Sequence, residues 1–230
     1  MIRFGGFPAE LFTFLTDLRA HNNRDWFNEN KSRYEEFARN PTLAFIAEMK
    51  DRLDRLSPSF IADARPNGGS MFRIYRDTRF SRDKAPYKTN VGCQFRHSAG
   101  RDAHAPGFYV HIQSGESFAG GGIWRPPTQA LGKIRDAIDG NQDEWARIRE
   151  FMSSTKTLSL MDAERYKRPP HGVSADHPLL DDLKLKTFFA GRSFTDSEVA
   201  SRRFVDMVEG CFSNLVPFMR FITEALGLSF

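Results

Sequence analysis

The stretch GFYVHIQSGESFAGGGIW, residues 107–124, carries the pattern that decides the fold. Phe108, Val110 and Ile112 alternate with Tyr109, His111 and Gln113, a period of two that sends one set to each face of a β-strand. Ser114-Gly115 supplies a tight turn, so 116–124 is expected to return antiparallel to 108–113. The same alternation recurs upstream. In 91–96, Val91, Cys93 and Phe95 alternate with Gly92, Gln94 and Arg96; in 72–75, Phe72 and Ile74 alternate with Arg73 and Tyr75. Alternating strands with short connections predict an antiparallel meander over residues 70–125, with one apolar face against the rest of the protein.

Helical periodicity flanks this region on both sides. Leu11, Phe12, Leu15 and Leu18 share one helix face, and Trp26, Phe27, Tyr34 and Phe37 share another. Asn40-Pro41 reads as the cap and first residue of a third helix, closed by Ser57-Pro58. Beyond Arg125-Pro126-Pro127, helices are predicted around Leu131, Ile134 and Ile138, and around Trp145, Ile148 and Phe151. Residues 167–178 form a proline-rich connection, followed by a helix expected over 178–186. Thr195 to Glu198 is a capping box that opens the C-terminal helices. The expectation is α+β: one domain, 1–230, with a helical part at 1–60, an antiparallel sheet at 70–125 and a second helical part at 126–230.

Charge is distributed unevenly. MFRIYRDTRFSRDKAPYKTN (71–90) holds six basic and two acidic residues, so its local charge equals the formal +4 of the whole 230-residue chain. Arg presents a planar fork to carboxylate or phosphate oxygens and Lys a movable point charge. Arg73, Arg76, Arg79, Lys84 and Lys88 are therefore candidate anion contacts, with Tyr87, Tyr109 and His111 shaping the site. His111 is the candidate general acid or base, and Asp77 the alternative. The competing reading is an ion-pair knot in which Asp77 and Asp83 neutralise two of the cations. Alternation also turns Arg73, Tyr75, Gln94, Arg96, Tyr109, His111 and Gln113 away from the core, a face rich in flat hydrogen-bonding side chains rather than ordinary solvated ones. Beside it, Gly120–Gly122 leave room for a ligand or another segment to approach the backbone.

Three kinds of partner suit this charge. A small anionic, perhaps phosphorylated, ligand ranks first, whether bound or turned over. A nucleic acid ranks below it, because such interfaces spread their cations over an extended stripe. An acidic protein docked on the basic loop is the third reading. P-loop, Rossmann and GxSxG motifs are absent, so no cofactor is implied. His97, His104 and His111 recur every seven residues, without the short HxH or HExxH spacing of a metal site. Two cysteines make no disulfide framework, no stretch of 18 apolar residues occurs, and Pro8, Glu10 and Asp17 interrupt any signal peptide. A cytoplasmic protein without membrane contact is expected, with no oligomeric state implied.

Several motifs together resemble a bacterial and fungal family catalogued as domain of unknown function 2461. They are FRIYRDTRFSRDKAPYKT (72–89), NNRDWFNENKSRYEEF (22–37), GFYVHIQSGESFAGGGIWRP (107–126) and KRPPHGVSADHPLLDDLKLKTFF (167–189). Ala85 stands where the family pattern has Thr, at the cost of one hydroxyl. The resemblance implies one compact domain and transfers no catalytic residue.

Overall fold

Hydrogen bonding gathers the alternating stretches into one antiparallel sheet, as a computed structural model covering residues 4–100, 105–155, 157–161 and 163–230 describes. Its strands are β1 (Phe60–Ile61), β2 (Val91–His97), β3 (Gly107–Ile112), β4 (Ser117–Ile123), β5 (Ser159–Leu160) and β6 (Phe188–Phe194), in the order β1-β2-β3-β4-β6-β5. Cross-strand partners share a face, so the register fixes both surfaces. One row reads Cys93, Val110, Ala119 and its neighbour reads Gln94, Tyr109, Gly120.

The first of these faces meets the helices. The long helix α9 (Phe204–Ala225) lays Phe212 on Phe108 with ring centres 4.5 Å apart, and Cys211 Sγ donates to the Ala119 carbonyl at 3.4 Å. Other helices complete this layer: α1 (Glu10–Ala20), α2 (Arg24–Glu29), α3 (Lys31–Arg33), α4 (Asn40–Leu56), α5 (Thr128–Gly140) and α6 (Gln142–Ser154). Trp145 of α6 is fully buried between Phe188 and Phe218, with Nε1 donating to Asp182 Oδ2 at 2.8 Å. The short α7 (Leu180–Leu183) carries that aspartate, and α8 (Asp196–Ala200) opens with the Thr195–Glu198 capping box read from the sequence. The protein is an α+β domain whose antiparallel sheet is flanked in sequence by N-terminal and C-terminal helices.

Four local readings change. Residues 72–75 form no ladder strand: Ser70 O accepts from Gln94 N, Phe72 N donates to Gly92 O, and the chain then leaves the sheet. Met71 lies opposite Cys93, so Phe72 turns to the outer face rather than the core, the inversion a one-residue shift imposes. Ile74 is buried nonetheless, because the chain has left the sheet by then and the period of two no longer links it to Phe72. The 126–230 part also contributes β5 and β6, because TFFAGRSF packs on both faces and shows no alternation. Asn40 is not a cap; its φ of −64° and ψ of −44° are helical, and a π-helical stretch over Tyr34–Arg39 carries the helix through to Pro41, which lacks the N–H an α-turn would use. The helix expected at 178–186 shortens to α7. His104 lies outside the described residues, and among those described no helix is long and apolar enough to cross a membrane.

Candidate functional site

The sheet face turned away from α9 is not covered flat; it opens into a cavity of about 540 Å³. The alternation of β2, β3 and β4 presents Gln94, Tyr109, His111 and Phe118 to it. Phe72, Trp124, Met161 and Phe189 enclose the sides. Glycines set the approach distances. A Cβ on Gly92 would stand 2.7 Å from Tyr109 Oη and 3.1 Å from Phe72 Cδ2, so both rings lie against bare backbone there. On Gly120 it would meet the Ala190 carbonyl at 2.3 Å and the Phe189 ring at 2.7 Å. The glycine run therefore seats β6 and Phe189 rather than a ligand, though Gly122 also borders the cavity.

Polar chemistry concentrates on β3. The His111 ring stacks on Phe118 with centres 4.9 Å apart and planes 8° from parallel. Its Nδ1 lies 3.3 Å from Tyr109 Oη and 3.4 Å from Asn90 Nδ2. An amide N–H and a hydroxyl both aimed at Nδ1 make that nitrogen the acceptor, which leaves the proton on Nε2. Burial pushes the His111 pKa below its usual 6.5, against smaller opposing effects of Gln113 and Glu116, so the ring is neutral at pH 7. Burial likewise raises the Tyr109 phenol, which stays a protonated donor. Gln94 is the odd member: Oε1 is buried without a hydrogen-bond partner.

The basic stretch folds largely onto itself. Arg76 pairs with Asp83 at 2.5 Å and Arg79 with Asp77 at 2.7 Å. Lys84 Nζ donates to the Thr78 carbonyl, and Lys88 Nζ to the carbonyls of Arg73 and Tyr75. The guanidinium groups of Arg73 and Arg82 make no hydrogen bond or ion pair among the described residues. Tyr87 is 4 % exposed and stacks on Phe27 at 4.1 Å, while Asn22 exchanges two amide hydrogen bonds with its backbone. Beside it lies a hollow of about 450 Å³ bordered by Arg19, Arg76, Lys88, Asn22, Asn90 and Asp83. Burial first, then Arg73 and Arg76, lowers the Lys88 pKa. Hydrogen bonds from the Arg79 guanidinium and then from its backbone N–H hold the exposed Asp77 at about 2, far below a base useful near neutral pH.

Two groups of expected site residues thus come together: Tyr109 with His111 in the cavity, and Arg76 with Lys88 and Tyr87 at the hollow. Asn90 borders the hollow and reaches His111, so the two share a wall. Arg73, Arg79, Lys84 and Asp77 border neither. Sequence reasoning missed Phe118, Trp124, Phe189, Met161 and Arg19. Phe118 and Trp124 were legible, since they fall on the outward parity of 116–124 with Gly120 and Gly122. Among the described residues no three metal-ligating side chains converge.

No curated protein matches the chain. The family model described as conserved hypothetical protein (DUF2461) matches residues 10–221, and the motifs it spans include both the cavity strands and the basic loop. By that match over nearly its whole length, the chain belongs to the conserved hypothetical protein family DUF2461.

Proposed function

We propose that this protein binds a small organic anion whose planar, largely apolar body occupies the aromatic cavity. Gln94, Tyr109 and His111 read its hydrogen-bonding edge, and Arg19, Arg73, Arg76 and Lys88 attract its carboxylate or phosphate. The observation that carries this reading is the unpartnered Gln94 amide in an aromatic-walled cavity. An unsatisfied buried acceptor costs about 1–3 kcal/mol, and a turn of the terminal amide that brings Oε1 to a ligand N–H or O–H in the cavity removes that cost. The volume of about 540 Å³ suits a molecule of drug-like size, and flat rings favour a flat ligand. The anion follows from charge: Lys88 stands close enough to Arg73 and Arg76 to be repelled by both, and a bound anion relieves that repulsion. Should the ligand react, neutral His111, with its Nδ1 accepting, is the base. Buried, unpaired Cys93 and Cys211 support a reducing, cytoplasmic setting.

A thermal-shift panel of aromatic carboxylates, aromatic phosphate monoesters, neutral isosteres and short single-stranded oligonucleotides tests this at fixed ionic strength. A ligand at 100 times its Kd stabilises by about 2.7 kcal/mol. Wild type is expected to respond to aromatic anions, Phe118→Ala to lose the response, and Arg73→Ala to lose it for anions but not for neutral isosteres. No response across the panel, or equal responses in all three proteins, refutes the proposal. A response confined to oligonucleotides replaces it with nucleic-acid binding.

A further inference from the structure

We infer a second oxyanion site, separate from the cavity, built by Arg135 of α5 with Lys167 and Arg168 of the proline-rich loop. These three cations border a hollow of about 380 Å³ together with Tyr166, Pro169 and Pro170, and among the described residues no carboxylate lines it. The arrangement holds the cations in place without neutralising them. Arg135 Cζ lies 5.2 Å above the Tyr166 ring, and Nη2 donates to the Leu185 carbonyl at 3.2 Å. That single bond is the only one its five N–H donors make among the described residues, and Nε is buried without a partner. Lys186 shares the same ring at 5.2 Å, but Glu164 pairs with it at 2.5 Å. Glu164 also faces Arg125 at 3.6 Å, so the nearby carboxylate is already committed.

A half-buried guanidinium with no acid beside it is unfavourable unless something supplies the counter-charge. Burial lowers the Arg135 pKa and no carboxylate opposes it, in line with that geometry. Lys167 and Arg168 are exposed and make no ion pair among the described residues, and Pro169-Pro170 restricts the backbone that carries them. Three such cations around one opening suit the oxygens of a phosphate or carboxylate group, with the Arg fork giving direction.

The test compares wild type, Arg135→Met, the double variant Lys167→Ala/Arg168→Ala and Arg73→Ala. Each is titrated with inorganic phosphate, pyrophosphate and citrate against chloride at matched ionic strength, by thermal shift and calorimetry. Wild type and Arg73→Ala are expected to show a saturable rise in Tm, and the double variant to bind at least about tenfold more weakly. Arg135→Met should lose the response yet melt no lower than wild type, because it removes an unpaired charge. Citrate acting alone assigns the site to carboxylates, and phosphate or pyrophosphate acting alone to phosphates. The inference is overturned if no anion exceeds chloride, if the double variant responds like wild type, or if Arg73→Ala abolishes the response. A failure of the cavity ligand panel leaves this outcome untouched, since Arg135, Lys167 and Arg168 border this hollow and neither the cavity nor the hollow beside Tyr87, and Arg73→Ala enters here only as the control.

Discussion

Replacing Gln94 by Met should make the protein more stable while emptying the cavity of function. The side chains have similar length and volume, so packing against Phe72 and Tyr109 changes little. What changes is Oε1, which is buried without a partner. Removing a buried unsatisfied acceptor recovers about 1–3 kcal/mol, and a thioether beside aromatic rings adds a little more. For a chain of this size each kcal/mol moves Tm by roughly 2–4 °C, so a rise of at least about 2 °C is expected. Urea unfolding followed by circular dichroism should show a higher midpoint with an unchanged slope, the sign of altered stability rather than altered compactness. The same variant should lose its response to aromatic anions. A Gln94→Met protein less stable than wild type by more than about 0.5 kcal/mol would refute the reasoning, since surface-like neutrality ends near that value. The amide would then be a structural element, and the cavity would lose its main argument for a ligand.

Gly120→Ala should destabilise by roughly 1–3 kcal/mol, because its methyl meets the Ala190 carbonyl at 2.3 Å, a backbone atom that cannot swing aside; an unchanged urea midpoint would contradict the close packing of β4 on β6. Trp145→Phe should cost roughly 2–4 kcal/mol, since it opens space in the core and deprives buried Asp182 of its 2.8 Å donor, leaving Arg149 at 3.4 Å; a loss below about 1 kcal/mol in chemical denaturation would show that Asp182 finds another partner. Acid should weaken the protein in two stages. The folded-state pKa of His111 lies below 6.5, so its contribution is present above that pH and is lost as pH falls below it. Asp63, Asp77, Asp83, Glu164 and Glu198 are also depressed, so theirs is present above about 4 and lost as pH falls toward 2. Tm measured from pH 8 to 2 should decline in both windows, and His111→Gln should remove the first; a flat wild-type profile between 6.5 and 5 would contradict it.

Period-two alternation made most of the sheet legible. Phe108, Val110 and Ile112 face α9 and Tyr109 and His111 face the cavity, as 107–113 dictates, because a pleated strand has no other way to place successive side chains. The capping box at Thr195 was equally local. β6 escaped notice because Phe188, Phe189 and Ala190 are all buried, and a strand packed on both faces carries no alternation. Phe72 and Ile74 do not share a face as alternation over 72–75 would require, because the chain leaves the sheet after the hydrogen bond from Phe72 N to Gly92 O and the pleat ends there.

The amino-acid order by itself determined an α+β protein with an antiparallel sheet, a two-sided β3, and a positive charge confined to residues 71–90. These follow from period, propensity and composition, which are properties of neighbouring residues. Only the tertiary structure decided which cations remain unpaired and where the cavity lies. Arg76, Arg79, Lys84 and Lys88 are engaged by their own loop, whereas Arg73 and, far along the chain, Arg135 lack an acidic partner among the described residues. Tyr87, read as a ligand contact, is held by Asn22 from 65 residues away. The cavity is closed by Phe189 on a strand that pairs with β4 only after α5, α6, β5 and α7 have intervened. Pairing of charges and enclosure of space depend on contacts between segments distant in sequence, and no local pattern encodes their distances.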